Sequence, residues 1–313
     1  MKTKTQDILA QLPPGSRVAV LRLRSLGDCV LSTPALRLLK DFRPDLHIGV
    51  AVEERFAGVF EGHPDVSEVL EPLIGAVRNF RPQLCLNFHG GTRSARMTVL
   101  SGARFRAGFD IFKPGWFYNV KLPTAQITMG LNRRVHTAEH MASAMFALGV
   151  PLKDVPGARL PVDPTRSPLA PECRYAVIHP LAATAEKTWP SGNFVLLAQF
   201  LSRNANLEPV FIGAPGDDLR AFDSWNCIRT PGIAELSRLV RKASVFIGND
   251  SGPAHVAAAF GVPEVVLFGP SDAEIWHPWR TRHEVLQATP ISSIGVEESF
   301  RAVEKVLSGE GNR

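Results

Sequence analysis

The residues best placed to do chemistry in this 313-residue chain lie between Phe246 and Asp272, FIGNDSGPAHVAAAFGVPEVVLFGPSD. An apolar run leads into a small polar turn, Gly248-Asn249-Asp250-Ser251-Gly252, then a small-residue helix and a second apolar strand ending in Gly269-Pro270. A parallel α/β sheet places such a turn at the carboxyl end of a strand, where ligands bind. The first amides of the following helix carry a partial positive charge suited to a phosphate. The same Asp250 and Ser251 also suit a plain helix cap, and local sequence leaves both roles open.

A second turn of this kind is Arg24-Ser25-Leu26-Gly27-Asp28, between the run from Arg17 and a helix beginning near Val30. Asp28 either caps that helix or points into a cleft as a general base. His179-Pro180 ends another apolar run and precedes Glu186-Lys187-Thr188-Trp189-Pro190, where a lysine beside a Trp-Pro turn could meet a phosphate as a point charge. Gly213-Ala214-Pro215-Gly216-Asp217 is a turn able to approach a nucleotide, or a simple strand-to-helix loop. Asn87-Phe88-His89-Gly90-Gly91-Thr92-Arg93-Ser94-Ala95-Arg96, with Arg104 and Arg106 behind it, suits an anionic group, because arginine forks onto carboxylate or phosphate. A solvated basic helix face explains it equally.

Missing motifs narrow the chemistry. There is no GxGxxG after the first strand and no GxxxxGK[ST] loop, which demotes dehydrogenase and P-loop readings. There is no DxD triplet to hold a diphosphate through a metal, and the nine histidines show no HxH or HExxH spacing, so no catalytic metal is expected. Cys29, Cys85, Cys173 and Cys227 are scattered and read as reduced thiols. The polar amino terminus lacks a signal-peptide core and no apolar run reaches membrane-spanning length, so the expectation is a soluble cytoplasmic protein. The net charge of +5 is uneven: residues 1–165 hold 21 Lys+Arg against 14 Asp+Glu, and residues 166–313 hold 14 against 16. The basic first half should meet something anionic. An acidic glycan or a phosphate-rich membrane surface fits, and without a recognition motif nucleic acid is not expected.

These turns need a scaffold that presents strand ends together. Strand-length apolar runs at 17–23, 47–52, 67–70 and 83–86 are separated by helical patterns at 30–42, about 93–100 and 138–148. After a passage with five prolines, 156–171, the alternation restarts with strands at 175–179, 209–212, 245–248 and 264–268. Helical patterns at 194–201 and 234–242 lie between them, and an amphipathic segment near 296–308 closes the chain. Such alternation predicts parallel sheets. Two Rossmann-like domains, 1–165 and 166–313, are expected to face across a ligand cleft, with the last helix packing back on the first domain.

In chain order, these pieces resemble glycosyltransferase family 9, the ADP-heptose:lipopolysaccharide heptosyltransferases. VLRLRSLGDCVLSTPALRLLK resembles the family's opening strand, S-x-G-D turn and T-P-A-L helix. HPLAATAEKTWP resembles its H-P-G…K-x-W-P segment, and NDSGPAHVAAAFGVPEVVLFGPSD its D-[ST]-G-x-x-H signature. SGARFRAGF, 101–109, is similar to a weaker family feature. The resemblance spans about residues 17–275. It implies a GT-B fold and inverting, metal-independent transfer of heptose from ADP-heptose to the lipopolysaccharide inner core, with no cofactor. Asp28 would be the catalytic base. Lys187, Asp217, Asp250, Ser251, Gly252 and His255 would bind the donor, and Arg93 and Arg96 an acidic lipid-linked saccharide acceptor. It also implies work at the cytoplasmic face of the inner membrane through transient peripheral contact. Leu181 replaces the family glycine after His-Pro, and Pro253-Ala254 precede the signature histidine. Trp276, His277 and Trp279 either line the donor cleft or form a packed aromatic turn. A UDP-sugar transferase or epimerase, or a non-catalytic nucleotide-binding relative, stands as the alternative.

Overall fold

The computed structural model describes residues 7–230 and 232–312. The chain divides into two compact units, one ending at Pro161 and the other beginning at Val162. Among the described residues, each unit is built on a six-stranded, all-parallel sheet.

In the first unit the strands are β1 (Arg17–Leu21), β2 (His47–Ala51), β3 (Glu68–Leu70), β4 (Leu84–Asn87), β5 (Phe105–Phe109) and β6 (Val120–Leu122). Their spatial order is β3-β2-β1-β4-β5-β6. The helices are α1 (Leu26–Phe42), α2 (Ile74–Asn79), α3 (Thr92–Leu100), α4 (Ala125–Met129) and α5 (Thr137–Leu148). Helices cover the sheet, so β1 is apolar nearly throughout: Val18 to Leu21 are fully buried. Pro34 sits inside α1 and has no N–H for the Val30 carbonyl. The Thr33 hydroxyl takes that place, donating to Val30 O at 2.8 Å, and its oxygen also accepts the Arg159 N–H at 3.0 Å.

The second unit repeats the plan with β7 (Tyr175–His179), β8 (Glu208–Gly213), β9 (Asn226–Arg229), β10 (Val245–Asn249), β11 (Glu264–Phe268) and β12 (His283–Gln287). The order is β12-β11-β10-β7-β8-β9. Its helices are α6 (Ser191–Asn204), α7 (Ile233–Val240), α8 (Gly252–Ala259), α9 (Ala273–Trp276) and α10 (Val296–Ser308). Trp189, Phe194, Phe211 and Leu267 anchor its core. The last helix, expected from the sequence to return to the first domain, contributes Ala302, Val303 and Val306 to the core of its own unit.

Both strand orders reverse direction once, between β1 and β4 and between β7 and β10. At such a switch point the connections after the two neighbouring strands leave toward opposite faces, opening a crevice at their carboxyl ends. Four strands, β5, β6, β9 and β12, were not expected from the sequence. They lie at or next to sheet edges and carry Arg106, Lys121, Asn226 and Glu284, which interrupt the apolar signal.

Candidate functional site

In the first unit, β1 hands the chain to Arg22-Leu23-Arg24 and then to Ser25, the N-cap of α1. Asp28 is the third residue of the helix and completes a capping box: Oδ2 accepts the Ser25 hydroxyl at 3.0 Å and the Ser25 N–H at 3.5 Å. Its other oxygen, Oδ1, pairs with the Arg22 guanidinium. Arg22 is only 5% exposed and donates through Nη1 to the Phe88 carbonyl at 2.6 Å. The cap and the functional reading of Asp28 are therefore compatible. The helix uses one face of the carboxylate, a buried cation fixes the other, and 23% of the side chain is open to solvent.

The neighbouring connection, after β4, is organised by a buried amide. Asn87 Oδ1 accepts the N–H groups of His89 and Gly90 at 2.9 and 3.0 Å, while Nδ2 reaches the hydroxyls of Ser94 and Tyr118. Gly90 has φ +68°, and the Phe112 ring lies 2.9 Å from where a Cβ would stand, so no other residue fits without displacement. Burial and the charges of Arg22 and Arg24 push the His89 imidazole below its ordinary range. Asp28 and a hydrogen bond to the Arg24 backbone oppose them. Of the two expected acceptor arginines, Arg93 is engaged locally, donating to Pro72 O at 2.8 Å and lying 3.7 Å from Glu53. Arg96 is exposed on α3.

At the second switch point, β7 ends in His179 and β10 in Asn249. A Cβ on Gly248 would come 2.9 Å from the His179 carbonyl, so the two strand ends approach closely. His179 Nδ1 meets Ser251 Oγ at 3.0 Å, and burial pushes this imidazole down to about 4, against the opposing charge of Asp217. Asn249 is fully buried, accepting the Trp189 N–H at 3.0 Å and donating to Pro180 O at 2.9 Å. The Trp189 indole is fully buried too and donates to Ile294 O at 3.0 Å. These bonds seat the 180–190 loop on the sheet, and Gly269 lets Glu186 O come within 2.5 Å of where a Cβ would be. Lys187 Nζ thereby reaches Asp250 Oδ2 at 3.2 Å, with side-chain exposures of 33% and 10%.

Ser251 caps α8, with Gly252 and Pro253 in its first turn. His255 is buried one turn on, its ring 6.5 Å from Trp276. Lys187, Asp250, Ser251 and His179 thus form one cluster, with Gly252 at the helix start beside it. Asp217 closes its own turn, accepting the Ala214 N–H at 2.6 Å. His277 stacks on His283 at 5.4 Å and Trp279 is buried, which favours the packed aromatic turn for these two. Leu181 packs against the core. Among the described residues, no group of three or more His, Cys, Asp or Glu side chains converges as a metal site would require.

Sequence reasoning missed Arg22 and Asn249 as organising residues. The usable signal was position: a charged or amide side chain at the end of a strand buried on both faces must find a partner.

Two doubly wound parallel sheets in one chain, each with polar turns at its switch point, form the GT-B fold. The chain belongs to glycosyltransferase family 9 (heptosyltransferase), whose sequence profile matches residues 73–299, and it is a glycosyltransferase. It is 23% identical over 334 aligned positions to lipopolysaccharide heptosyltransferase 3 of Escherichia coli K12, covering 91% of this chain and 96% of that one. The glycosyltransferase family 9 structure from Veillonella parvula superposes with a TM-score of 0.80 at 21% identity, covering 98% of this chain and all of that one. E. coli heptosyltransferase WaaC with ADP-2-deoxy-2-fluoro heptose gives 0.73 at 19% identity, covering 92% and 99%.

Proposed function

We propose that the protein transfers heptose from ADP-heptose to the lipopolysaccharide inner core, with inversion and without a metal. One observation carries this reading: the two switch points bear complementary chemistry, a partly exposed carboxylate in one unit and a lysine beside an open helix start in the other. The first unit, within residues 1–165, takes the acidic lipid-linked acceptor, with Arg93 and Arg96 on its anionic groups. The second, within 166–313, takes the nucleotide-sugar.

Asp28 accepts the proton of the acceptor hydroxyl as it attacks the anomeric carbon, opposite the departing diphosphate, through an oxocarbenium-like transition state. Negative charge grows on the leaving group, so Lys187 and the amides of Ser251 and Gly252 act most strongly in the transition state. Asp250 orients Lys187, and His179, kept neutral by burial, holds the Ser251 hydroxyl. His255 supports the donor helix, and Asp217 shapes the turn near the nucleoside. Solved structures whose names carry ADP-heptose or its 2-fluoro analogue support the donor assignment. Transfer takes place at the cytoplasmic face of the inner membrane, with transient peripheral contact. Among the described residues no helix is long and apolar enough to cross a membrane.

The test is a thermal-shift comparison of ADP and UDP in the presence of a chelator, followed by a heptose-transfer assay. At a hundred times its dissociation constant ADP should stabilise by about 2.7 kcal/mol. Stabilisation by UDP alone would replace the donor, and a metal requirement for transfer would remove the lysine-and-amide account.

A further inference from the structure

The unit that carries Asp28 has a second concave feature at the other end of its sheet. A cavity of about 620 Å³ opens at the amino ends of the adjacent strands β1, β4 and β5, lined by Arg17, Arg78, Asn79, Arg81 and the turn at Ser101-Gly102. Arg17 begins β1 and Asp28 lies past its end, so four residues of extended chain, about 13 Å, and a loop separate them. The cavity is distinct from the transfer site.

Its lining contains three arginines and no carboxylate. Among the described residues, none of the three guanidinium groups is paired with an Asp or Glu. One is already ordered: Arg17 Nη1 donates to Phe80 O at 3.2 Å, and the guanidinium lies 6.0 Å from the centre of the Phe80 ring. Arg78 lies in the last turn of α2, where one cation would satisfy the helix dipole. Arg81 is not explained that way. It holds a left-handed backbone, φ +52°, its N–H bonded to Arg78 O at 3.0 Å, so a turn brings it into the same lining. Gly102, at φ +77°, leaves the floor open, with nothing within 4 Å of a Cβ position. An adjoining cavity, also about 620 Å³, shares Arg17 and Asn79 but is flanked by Glu68 and Glu71. An anion is thereby steered to the Arg81 side.

We infer that this pocket binds a phosphate-class anion. Planar guanidinium forks match phosphoryl oxygens, the neighbouring carboxylates repel anions from the adjoining space, and the volume exceeds that of a lone phosphate. The ligand is the phosphoryl head of a larger molecule, a phospholipid headgroup or a soluble phosphate ester.

The experiment compares wild type with Arg78→Gln/Arg81→Asn, two exposed positions, asparagine being tolerant of the left-handed backbone. Lys187→Ala serves as reference for any phosphate held at the donor site. One arm measures co-sedimentation with phosphatidylcholine vesicles with and without phosphatidylglycerol, and the other measures calorimetric binding of inorganic pyrophosphate. Each arginine should contribute roughly fivefold, so the double variant should lose about 25-fold in at least one arm, the pyrophosphate comparison being repeated in the Lys187→Ala background so that binding at the donor site does not mask the loss. Loss confined to vesicles identifies a lipid headgroup, and loss confined to pyrophosphate a soluble ester. If wild type binds neither probe, or the double variant binds both as wild type does, the inference is wrong.

Discussion

Replacing Asn249 by alanine should damage the second unit more than its size suggests. The side chain is fully buried and serves the Trp189 N–H at 3.0 Å and the Pro180 carbonyl at 2.9 Å. Alanine leaves both backbone groups enclosed without partners, at about 1–3 kcal/mol each, so the loss should be roughly 2–6 kcal/mol. With a urea dependence of about 2 kcal/mol/M, the midpoint of the second unit should fall by about 1–3 M. Four of the five tryptophans, Trp189, Trp225, Trp276 and Trp279, lie in this unit, so fluorescence follows its unfolding. Hydrogen exchange at the Trp189 amide should accelerate by about 30-fold or more, the equivalent of the lower bound. Asn249→Asp keeps the acceptor for Trp189 but sets a carboxylate oxygen against the Pro180 carbonyl, so it should recover only part of the loss. A midpoint within about 0.3 M of wild type, with unchanged Trp189 protection, would show that these two bonds do not seat the loop.

Other perturbations have equally definite outcomes. Asp28→Asn keeps one acceptor for Ser25 or for the buried Arg22 but not for both, so it should lower stability; at a temperature where the variant is folded, kcat should fall by about 10²–10⁴-fold with little change in donor KM, and normal turnover would end its assignment as base. Lys187→Ala should lower kcat by about 10²–10³-fold in single-turnover transfer, and an effect on donor affinity alone would place the lysine in ground-state binding. Glu264 is fully buried at the start of β11, its carboxyl oxygens have no partner among the described residues, and burial raises its pKa well above the ordinary range. The folded state then holds a proton that the unfolded chain releases near pH 4.3, so stability present below that pH is lost as pH rises through the folded value. Glu264→Gln should abolish this dependence, seen as a smaller fall in urea midpoint between pH 5 and pH 8. An identical fall in both proteins would mean that the carboxyl is not sensed.

The central strands were legible because β1, β4, β7, β8, β10 and β11 are buried on both faces and read as apolar runs, and the turns after them because Gly, Asn, Asp and Ser cluster there. The edge strands were not, since half-exposed positions admit Lys121, Asn226 and Glu284 and blur the pattern. At the site, Lys187 and Asp250 were visible as residue types but their pairing was not. It depends on Asn249, Trp189 and Gly269 bringing together segments 63 residues apart, a relation with no local signature. Arg22 was read simply as part of a strand, although its burial beneath Asp28 is what orients that carboxylate. Asp28 shows the limit of local reasoning from the other side. Cap and functional group looked like competing descriptions, and the two oxygens of one carboxylate allow both.

The loop from Pro180 to Pro190 is held at its ends: by Asn249 at Pro180, and by the Trp189 backbone and indole at the other. Between them Ala183, Thr184, Ala185 and Glu186 are exposed. Fastening and presentation are thus assigned to different residues, so substitutions in the exposed middle need not disturb the fastening. Leu181 in place of the family glycine fits this division, having turned toward the core without loosening either end. The segment behaves as a replaceable cartridge. Exchanging residues 183–186 with those of a relative should alter preference among donors while leaving the urea midpoint of the unit unchanged, which makes it a natural place to redirect the enzyme.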